Sequence, residues 1–435
     1  MDDRESDGEM RYPKILIIGL AAYCILFMGA TIFHPFHYDD PDSYYYDSIS
    51  KHIEKSDGTV LGDILYRFGS FWGSLFIFSI SVICAGLLFI MMSSVDYKLA
   101  QYGTLFFLFS PLMLFNNSWL ARMDKNMLEV LFFLVWIQVQ SMYRDETQKS
   151  PVWMISYAIS NIVLYIVAIN FWQGSILFLM MSIFYIIAYE AIIIQYDKNW
   201  HIIAVCVLAA VIIAWKFLPS GMLLVAEGQP DIMHYLFPEV IIFITLFFIF
   251  MPDLFRFSKS FTIICLVELG CLVALPRTML FIVPLTAMIF TVCGKRILAS
   301  RYLWYPMTAL MIFFVVSAGY FMTDHHQDIK EFGNPCEKFN VTGCIIVTDW
   351  SMGHIYRNIW NESVMFIGHP TQPHMMLDYL YYKNRTCNDC VYLWHPRDYK
   401  ILQSYVDKLG LPSVNQTVRD EMYAEPGRSH IRPHI

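Results

Sequence analysis

Four short acidic segments interrupt the apolar stretches of this 435-residue chain, and they hold the residues best suited to chemistry. A carboxylate near hydrocarbon is costly, so acids that converge on one face of a membrane protein indicate a catalytic or metal site. Carboxylate and amide oxygens are also the ligands that Mg²⁺ and Mn²⁺ prefer. In chain order the candidates are Asp39, Asp40 and Asp42, then Asp124 and Asn126, then Glu227, then Asp349, Trp350, Ser351 and Gly353.

Each segment also has a purely structural explanation. Asp40 precedes a proline, a pair that favours an extended or turn conformation. Asp124 and Asn126 stand before an apolar stretch and can cap a helix, and Glu227 can be a solvated loop acid. Arg277 offers a planar fork of donors to a phosphate, but a terminal arginine usually extends to the membrane interface.

The composition is that of a membrane protein. Hydrophobic residues make up 57% of the chain and charged residues only 15%, whereas a soluble domain carries about 25% charged residues. A net charge of −7 without basic patches excludes nucleic-acid binding. The first apolar run, 15–33, is long enough to span a bilayer and is interpreted as a retained anchor.

Apolar runs predict a polytopic α-helical membrane protein with about eleven transmembrane helices. Residues 1–322 form the membrane domain, with external loops at 35–70 and 219–235. Residues 323–435 form a small soluble α/β domain, in which 344–348 reads as a buried strand. The predicted helices are 14–34, 71–93, 98–115, 126–143, 151–169, 172–195, 200–218, 236–251, 259–275, 277–293 and 302–322.

Basic residues in the short loops set the orientation. Twelve lie on the side of the N-terminus and six on the other side, which favours a cytosolic N-terminus. Eleven crossings then place all four acidic segments and the C-terminal domain outside the cytosol. Glycosylation acceptor sequons at 340, 361, 384 and 415 agree with that side. A prokaryotic plasma membrane is favoured over the endoplasmic reticulum, because no retention signal is visible at the C-terminus.

The ten cysteines fall into two groups. Six lie in apolar spans, where a thiol is usually a small core residue. The other four lie in the polar C-terminal part and indicate two disulfides in an oxidising compartment, with four metal-ligand thiols as the alternative. These four are Cys336, Cys344, Cys387 and Cys390.

Taken in order, the acidic segments resemble the motifs of the catalytic subunit of oligosaccharyltransferases, membrane glycosyltransferases of the GT-C class. Asp40-Pro41 is similar to the first acidic motif of that family, and 123–128 to the second. Segment 225–230 resembles the external-loop motif that ends in a catalytic-site glutamate, here Glu227. Residues 276–280 resemble the segment whose arginine, here Arg277, contacts the lipid pyrophosphate. Asp349-Trp350-Ser351-Met352-Gly353 falls where the family has Trp-Trp-Asp-Tyr-Gly.

The resemblance implies transfer of a glycan from a polyprenyl (pyro)phosphate donor to asparagine of an acceptor polypeptide at the lipid bilayer. Asp40, Asp124 and Glu227 would be catalytic and, with Asn126, would hold Mn²⁺ or Mg²⁺. Arg277 would bind the donor pyrophosphate. The acceptor would be bound by Asp349, Trp350, Ser351 and Gly353. Accessory subunits stay undetermined.

Three residues depart from the family pattern and keep alternatives open. Asn126 replaces a carboxylate, which lowers the negative charge around a metal. Ser351 replaces the aspartate of the acceptor motif, and Asp349 replaces its first tryptophan. One alternative is therefore another GT-C glycosyltransferase that uses a lipid-linked sugar and a non-asparagine acceptor. A non-enzymatic alternative is a transporter or an assembly subunit.

Overall fold

The computed structural model describes ten α-helices, one 3₁₀ turn and four strands. The described residues are 14–33, 46, 49–52, 60–110, 112–113, 126–142, 151–171, 175–194, 238–274, 276–299, 345–348, 363–366, 390–394 and 430–433. The helices are α1 Lys14–Phe33, α2 Val60–Phe68, α3 Ser70–Ser93, α4 Tyr97–Phe109, α5 Asn126–Ser141, α6 Pro151–Ile169, α7 Ile176–Ile194, α8 Pro238–Phe257, α9 Lys259–Ala274 and α10 Ile282–Ala299. The 3₁₀ turn, Pro276–Phe281, begins one residue after the end of α9 and leads directly into α10.

The chain is a helical membrane protein. Within the described ranges, four helices are long and apolar enough to cross a bilayer, namely Phe71–Ser93, Pro151–Ile169, Pro238–Phe257 and Thr278–Ile297. The last of these is mostly buried among its neighbours, whereas α6 exposes large apolar side chains such as Ile155, Ile159 and Ile162. An apolar helix with an exposed apolar surface is what contact with lipid requires.

Most of the helices predicted from apolar runs are confirmed. The predicted breaks near 170 and 276 are also present, because α6, α7, α9 and α10 are separate helices. The predicted helices 200–218 and 302–322 lie outside the described residues. Helix α2 was not predicted; it lies inside the segment taken as an external loop.

Three predicted helices had wrong ends. The helix predicted over 277–293 begins as the 3₁₀ turn and continues to Ala299. The other two errors lie at prolines. The helix predicted over 98–115 ends at Phe109, because Pro111 disfavours a helical conformation at Ser110, which is extended. The helix predicted to end at 251 instead continues through Pro252 to Phe257. Leu254 and Phe255 beyond the proline are buried, so packing outweighs the lost backbone hydrogen bond.

Helices α4 and α10 approach closely and run antiparallel. Gly103 makes this possible, since a Cβ there would lie 3.0 Å from Thr291 Oγ1 and 3.1 Å from the Ala287 carbonyl oxygen. Small residues at such contacts are typical of membrane helix packing, where close approach replaces the hydrophobic driving force. The same pair meets again at Leu99 and Gly294, near the start of α4 and the end of α10.

The two ends of the bundle are called the Asp96 end and the Glu239 end. At the Asp96 end, Lys295 on α10 forms an ion pair with Asp96 at 3.0 Å. At the Glu239 end, Ser110, directly after α4, donates a hydrogen bond to Glu239 at the start of α8. Because α10 runs antiparallel to α4, the 3₁₀ turn before α10 also lies toward the Glu239 end.

A buried polar layer fixes α5 in the bundle. Gln140 donates to Asn161 on α6 at 3.0 Å and to Ser182 on α7 at 3.3 Å, and Trp136 donates to the same serine at 2.9 Å. Tyr185 on α7 donates to the Gln140 carbonyl oxygen. Interhelical hydrogen bonds of this kind contribute about 0.6 kcal/mol each in a bilayer. The Tyr185 hydroxyl is also hydrogen-bonded to Ser260 at the start of α9, and α9 ends next to the 3₁₀ turn. The last turn of α5 therefore lies toward the Asp96 end, and its first turn toward the Glu239 end.

Asp96 is the N-cap of α4 and carries the first testable prediction. Its carboxylate accepts from the Lys98 and Leu99 amides at 3.0 Å each, and the Leu99 bond is the main cause of a lowered Asp96 pKa. We expect Asp96→Ala to lower the free energy of unfolding by about 1 kcal/mol at pH 7. The exposed Lys295 adds little to this loss.

The difference in unfolding free energy between wild type and Asp96→Ala depends on pH. Because the folded-state pKa is depressed, the stabilisation is present above the unfolded pKa of about 4 and is lost as pH falls through the folded value. Equilibrium unfolding in mixed SDS micelles, compared between wild type and Asp96→Ala, should therefore show a gap that closes in acid. The Asp96→Asn variant retains a capping oxygen and should lose less at pH 7. A gap that widens in acid would contradict this role.

The described strands of the C-terminal part form a mixed sheet with the order β2-β1-β3-β4. Strand β1 is Ile345–Thr348, β2 Ser363–Phe366, β3 Cys390–Trp394 and β4 His430–Pro433. Strand β1 is parallel to both β2 and β3, and β4 is antiparallel to β3. The strand predicted over 344–348 is thereby confirmed.

Candidate active site

The first element of the candidate site is the start of α5. Asn126, a predicted metal ligand, is the first residue of this helix and is half-buried. The next four residues are buried, and the Cys84 thiol on α3 lies 3.9 Å from the Met127 carbonyl oxygen. The first amides of a helix lack intrahelical acceptors and carry a partial positive charge. An acidic segment such as the one holding Asp124 is favourable directly before such a start.

The second element is the 3₁₀ turn that contains Arg277. Phe281, the last residue of this turn, is 1% exposed and stacks on Phe133 of α5, with ring centroids 4.4 Å apart and planes at 6°. It also stacks on Phe178 of α7 at 5.9 Å. The backbone of Arg277 therefore belongs to a turn that packs against the helix that Asn126 begins. Two residues predicted to act on the same donor lie on adjoining elements.

A buried acid lies beside this turn. Glu268, in the middle of α9, is fully buried, and neither of its carboxyl oxygens has a hydrogen-bond partner among the described residues. Thr278 of the 3₁₀ turn lies close to it, although the contact is not a regular hydrogen bond. Glu268 lies next to the 3₁₀ turn and belongs to none of the four acidic segments.

The third element is Glu239, which sequence reasoning missed. It is the second residue of α8 and is fully buried. Its Oε1 atom accepts from the Ser110 hydroxyl and from the Leu112 amide, both at 2.8 Å. The available signal was an acid directly after a proline at the start of an apolar run. Glu239 was overlooked because that position usually serves only the helix dipole.

The carboxyl end of β1 is a common ligand-binding position in sheets of this kind. Strand β1 ends at Thr348, and Asp349 follows immediately. The chain passes from β1 to β2 on one side and then returns to β3 on the other side of β1. In open sheets of parallel strands, ligands bind beyond the carboxyl ends of strands at such a switch in order. Segment 349–353 begins at that edge.

Most of the predicted site residues lie outside the described residues. This applies to Asp39, Asp40, Asp42, Asp124, Glu227, Asp349, Trp350, Ser351 and Gly353, and to Cys336, Cys344 and Cys387. Cys390 is the first residue of β3, so the predicted disulfides stay a prediction. Within the described ranges, no group of three or more His, Cys, Asp or Glu side chains is placed to hold a metal ion.

The cysteines of the described apolar helices agree with the sequence. Cys84, Cys265, Cys271 and Cys293 are buried, Cys24 is half-buried, and all five are free thiols. They pack as small core residues, as expected for thiols in apolar spans. They supply no ligands to the candidate site.

The fold of the chain is similar to that of solved structures. No protein-family model and no curated protein sequence matches the chain. Eleven chains of solved structures match. One is the archaeal oligosaccharyltransferase AglB from Archaeoglobus fulgidus, in complex with an inhibitory peptide and a dolichol-phosphate. The two are 10% identical and superpose with a TM-score of 0.53 over 97% of this chain and 74% of AglB. This likeness shows the fold alone.

Proposed function

We propose that the chain is an oligosaccharyltransferase-like enzyme of the GT-C type, which transfers a glycan from a polyprenyl (pyro)phosphate to an asparagine of an acceptor protein. The observation that carries the proposal is the fold likeness to AglB over 97% of the chain. The acidic segments support it, because their order along the chain resembles that of the family motifs. The AglB structure contains a peptide and a lipid phosphate, the two kinds of partner that the proposal requires.

The proposed topology has about eleven spans, a cytosolic N-terminus and an extracytosolic C-terminal domain. Support comes from three described elements that flank the acidic segments. Ser110, the first turn of α5 and the first turn of α8 all lie toward the Glu239 end. We place the loops that hold Asp124 and Glu227 at that end of the bundle, where donor and acceptor would meet at the lipid boundary.

Asp40, Asp124, Asn126 and Glu227 are proposed to hold Mn²⁺ or Mg²⁺. The donor set fits such a cation, because three carboxylates and one amide supply only hard oxygen ligands. Asn126, which lies within the described residues, is half-buried at the first position of α5. When bound, the cation supplies electrostatic stabilisation for charge on the departing phosphate oxygens.

The residues of the chain have distinct proposed roles in the transfer. Asp40 and Glu227 accept hydrogen bonds from the acceptor amide, whose lone pair is otherwise delocalised, and turn its nitrogen toward the sugar. As the nitrogen bonds to the anomeric carbon, the carbon–oxygen bond to the donor phosphate breaks and its electron pair stays on the phosphate oxygen. One amide proton passes to a carboxylate. Arg277 stabilises the departing phosphate, and Trp350 with its neighbours positions the peptide.

A second candidate function is supported by the altered acceptor segment. Ser351 and Asp349 replace an aspartate and a tryptophan that the family uses to grip the acceptor hydroxyl. A GT-C transferase that glycosylates a hydroxyl or a lipid would not need those groups. A non-enzymatic transporter or assembly subunit remains the third candidate, distinguished from both enzymes by the lack of any transfer.

The test is a transfer assay with the full chain reconstituted in lipid. Purified protein, lipid-linked oligosaccharide and Mn²⁺ are incubated with a labelled peptide that contains Asn-x-Thr, and glycosylation is read as a mobility shift. The proposal expects a shift that EDTA abolishes and excess Mn²⁺ restores. A peptide with alanine in place of threonine separates a hydroxyl requirement from relaxed acceptor choice. Donor consumption without peptide modification would support a different acceptor, and no donor consumption would overturn the enzymatic proposals.

A further inference from the structure

Two arginines flank one acid where α8 and α10 meet at the Asp96 end. Asp253, near the end of α8, forms an ion pair with Arg296 in the last turn of α10. Arg256 follows Asp253 by three residues, so the two side chains lie on the same face of α8. Arg256 is exposed, and the Arg296 side chain stays 70% exposed in spite of its ion pair. These two arginines, called the arginine pair, therefore keep donors within reach of a further anion.

An exposed stripe of α8 leads to the first of these arginines. Exposed residues recur with the helical period at 241, 245, 248, 249, 252 and 256, whereas the opposite face is buried in the core. Ile241, Phe248 and Ile249 make most of the stripe apolar, and α8 is long enough to cross a bilayer. The stripe therefore faces lipid and ends in Arg256. The exposed Phe257 follows, an aromatic residue of the kind that lies at headgroup level.

The whole Asp96 end carries an excess of positive charge. Helix α1 starts beside α4, since the Ile15 and Leu16 amides donate to Gln101, and Tyr185 near Ser260 brings the end of α7 to the same level. Within the described ranges, the basic residues of this end are Lys14, Lys98, Arg256, Lys259, Lys295 and Arg296, and the acids are Asp96, Glu190 and Asp253. With the proposed cytosolic N-terminus, this charge faces the leaflet that is rich in anionic lipids.

We propose that the arginine pair binds the phosphate of an anionic phospholipid, whose acyl chains lie along the exposed stripe of α8. A planar guanidinium offers two parallel donors to phosphate oxygens. The occupant is a bilayer lipid rather than a free phosphate, because the pair continues a surface that faces lipid. Asp253 competes with the lipid phosphate for Arg296. The proposal does not depend on glycan transfer.

The experiment titrates the full chain in detergent micelles with phosphatidylglycerol or with phosphatidylcholine of the same acyl chains, and native mass spectrometry counts the bound lipids. We expect phosphatidylglycerol to bind more tightly. Arg256→Gln and Arg296→Gln should each raise its dissociation constant about fivefold, the contribution of one basic residue near an anionic headgroup, and leave phosphatidylcholine binding unchanged. Asp253→Asn should instead tighten phosphatidylglycerol binding, because it removes the competing anion.

The matched control is Lys98→Gln, which removes the same charge from an exposed position at the same end and should weaken binding less than either arginine variant. An equal loss in Lys98→Gln would assign binding to the overall charge and overturn the site. Equal affinity for the two lipids, displacement of phosphatidylglycerol by inorganic phosphate, or weaker binding in Asp253→Asn would also overturn it. If Arg296→Gln does not fold, Arg256→Gln, which leaves the ion pair intact, decides the outcome.

Discussion

Asp40→Ala, Asp124→Ala and Glu227→Ala are each expected to reduce glycan transfer by at least about a hundredfold while the chain stays folded. The physical reason is that each carboxylate is proposed to stabilise charge in the transition state, either directly or through the bound cation. Removing one such preorganised group typically costs about 10²–10³ in rate. The measurement is the initial rate of peptide glycosylation at saturating donor and Mn²⁺, with unfolding in mixed micelles to confirm that the variants are folded.

The matched control lies in the same segment as the first of these acids. Asp42→Asn changes a neighbouring carboxylate that the family motif does not use, so its rate should stay within about threefold of wild type, as is usual for a change away from the reacting groups. Equal losses in Asp42→Asn and Asp40→Ala would mean that only the total negative charge of the segment matters. Full activity in any of the three alanine variants would remove that residue from the site.

Phe281→Ala is expected to give the largest loss of stability, about 3 kcal/mol. Phe281 is buried and stacks on Phe133 and Phe178, so truncation leaves a cavity between the 3₁₀ turn and helices α5 and α7. Phenylalanine truncations in protein cores cost about 3–5 kcal/mol. A value near the lower limit is expected here because the lipid environment weakens the hydrophobic part of that cost. The measurement is the free energy of unfolding in mixed SDS micelles.

The same variant should also weaken donor binding, because the 3₁₀ turn that contains Arg277 loses its anchor on α5. We expect the half-saturating concentration of lipid-linked donor to rise while the half-saturating peptide concentration stays unchanged. Phe257→Ala is the control, since Phe257 is 52% exposed near the end of α8 and should change stability by less than about 0.5 kcal/mol. A stability loss as small as that of the control would show that the turn does not depend on this stacking.

The helical part of the fold was predictable because the bilayer constrains sequence strongly. A span requires about 20 apolar residues, so a long run such as 71–93 reveals both its helix and its length. The errors occurred where local and tertiary effects compete. The predicted helix end at 251 was wrong, because the buried Leu254 and Phe255 keep α8 continuous through Pro252. Helix α2 was missed because nine residues give too short an apolar pattern to stand out.

The candidate site was predictable only in part, for a different physical reason. Arg277 and Asn126 were recognised individually, but the packing of their two elements depends on Phe281 stacking against Phe133, which pairs residues far apart in sequence. Glu239 likewise has its hydrogen-bond donors, Ser110 and Leu112, more than a hundred residues away. Motif reading detects residue types and order, whereas these connections arise only when the helices pack.

A shared fold at 10% identity is physically reasonable and also limited in what it implies. Cores accept extensive apolar substitution when volume and pattern are kept, so a helical bundle can persist while its sequence diverges. Chemistry depends instead on a few groups held in place, and one fold hosts many reactions. The functional proposal therefore needs the acidic segments as well as the likeness of the bundle.

Metal binding by the purified chain tests the central claim most directly. Electron paramagnetic resonance of Mn²⁺ added to the protein in nanodiscs gives the number of bound ions and their affinity, independent of any donor or acceptor. We expect one Mn²⁺ per chain in wild type, and a loss of affinity of at least about tenfold in each of Asp40→Ala, Asp124→Ala and Glu227→Ala. Binding that is absent in wild type, or that survives unchanged in all three variants, would contradict a shared cation site.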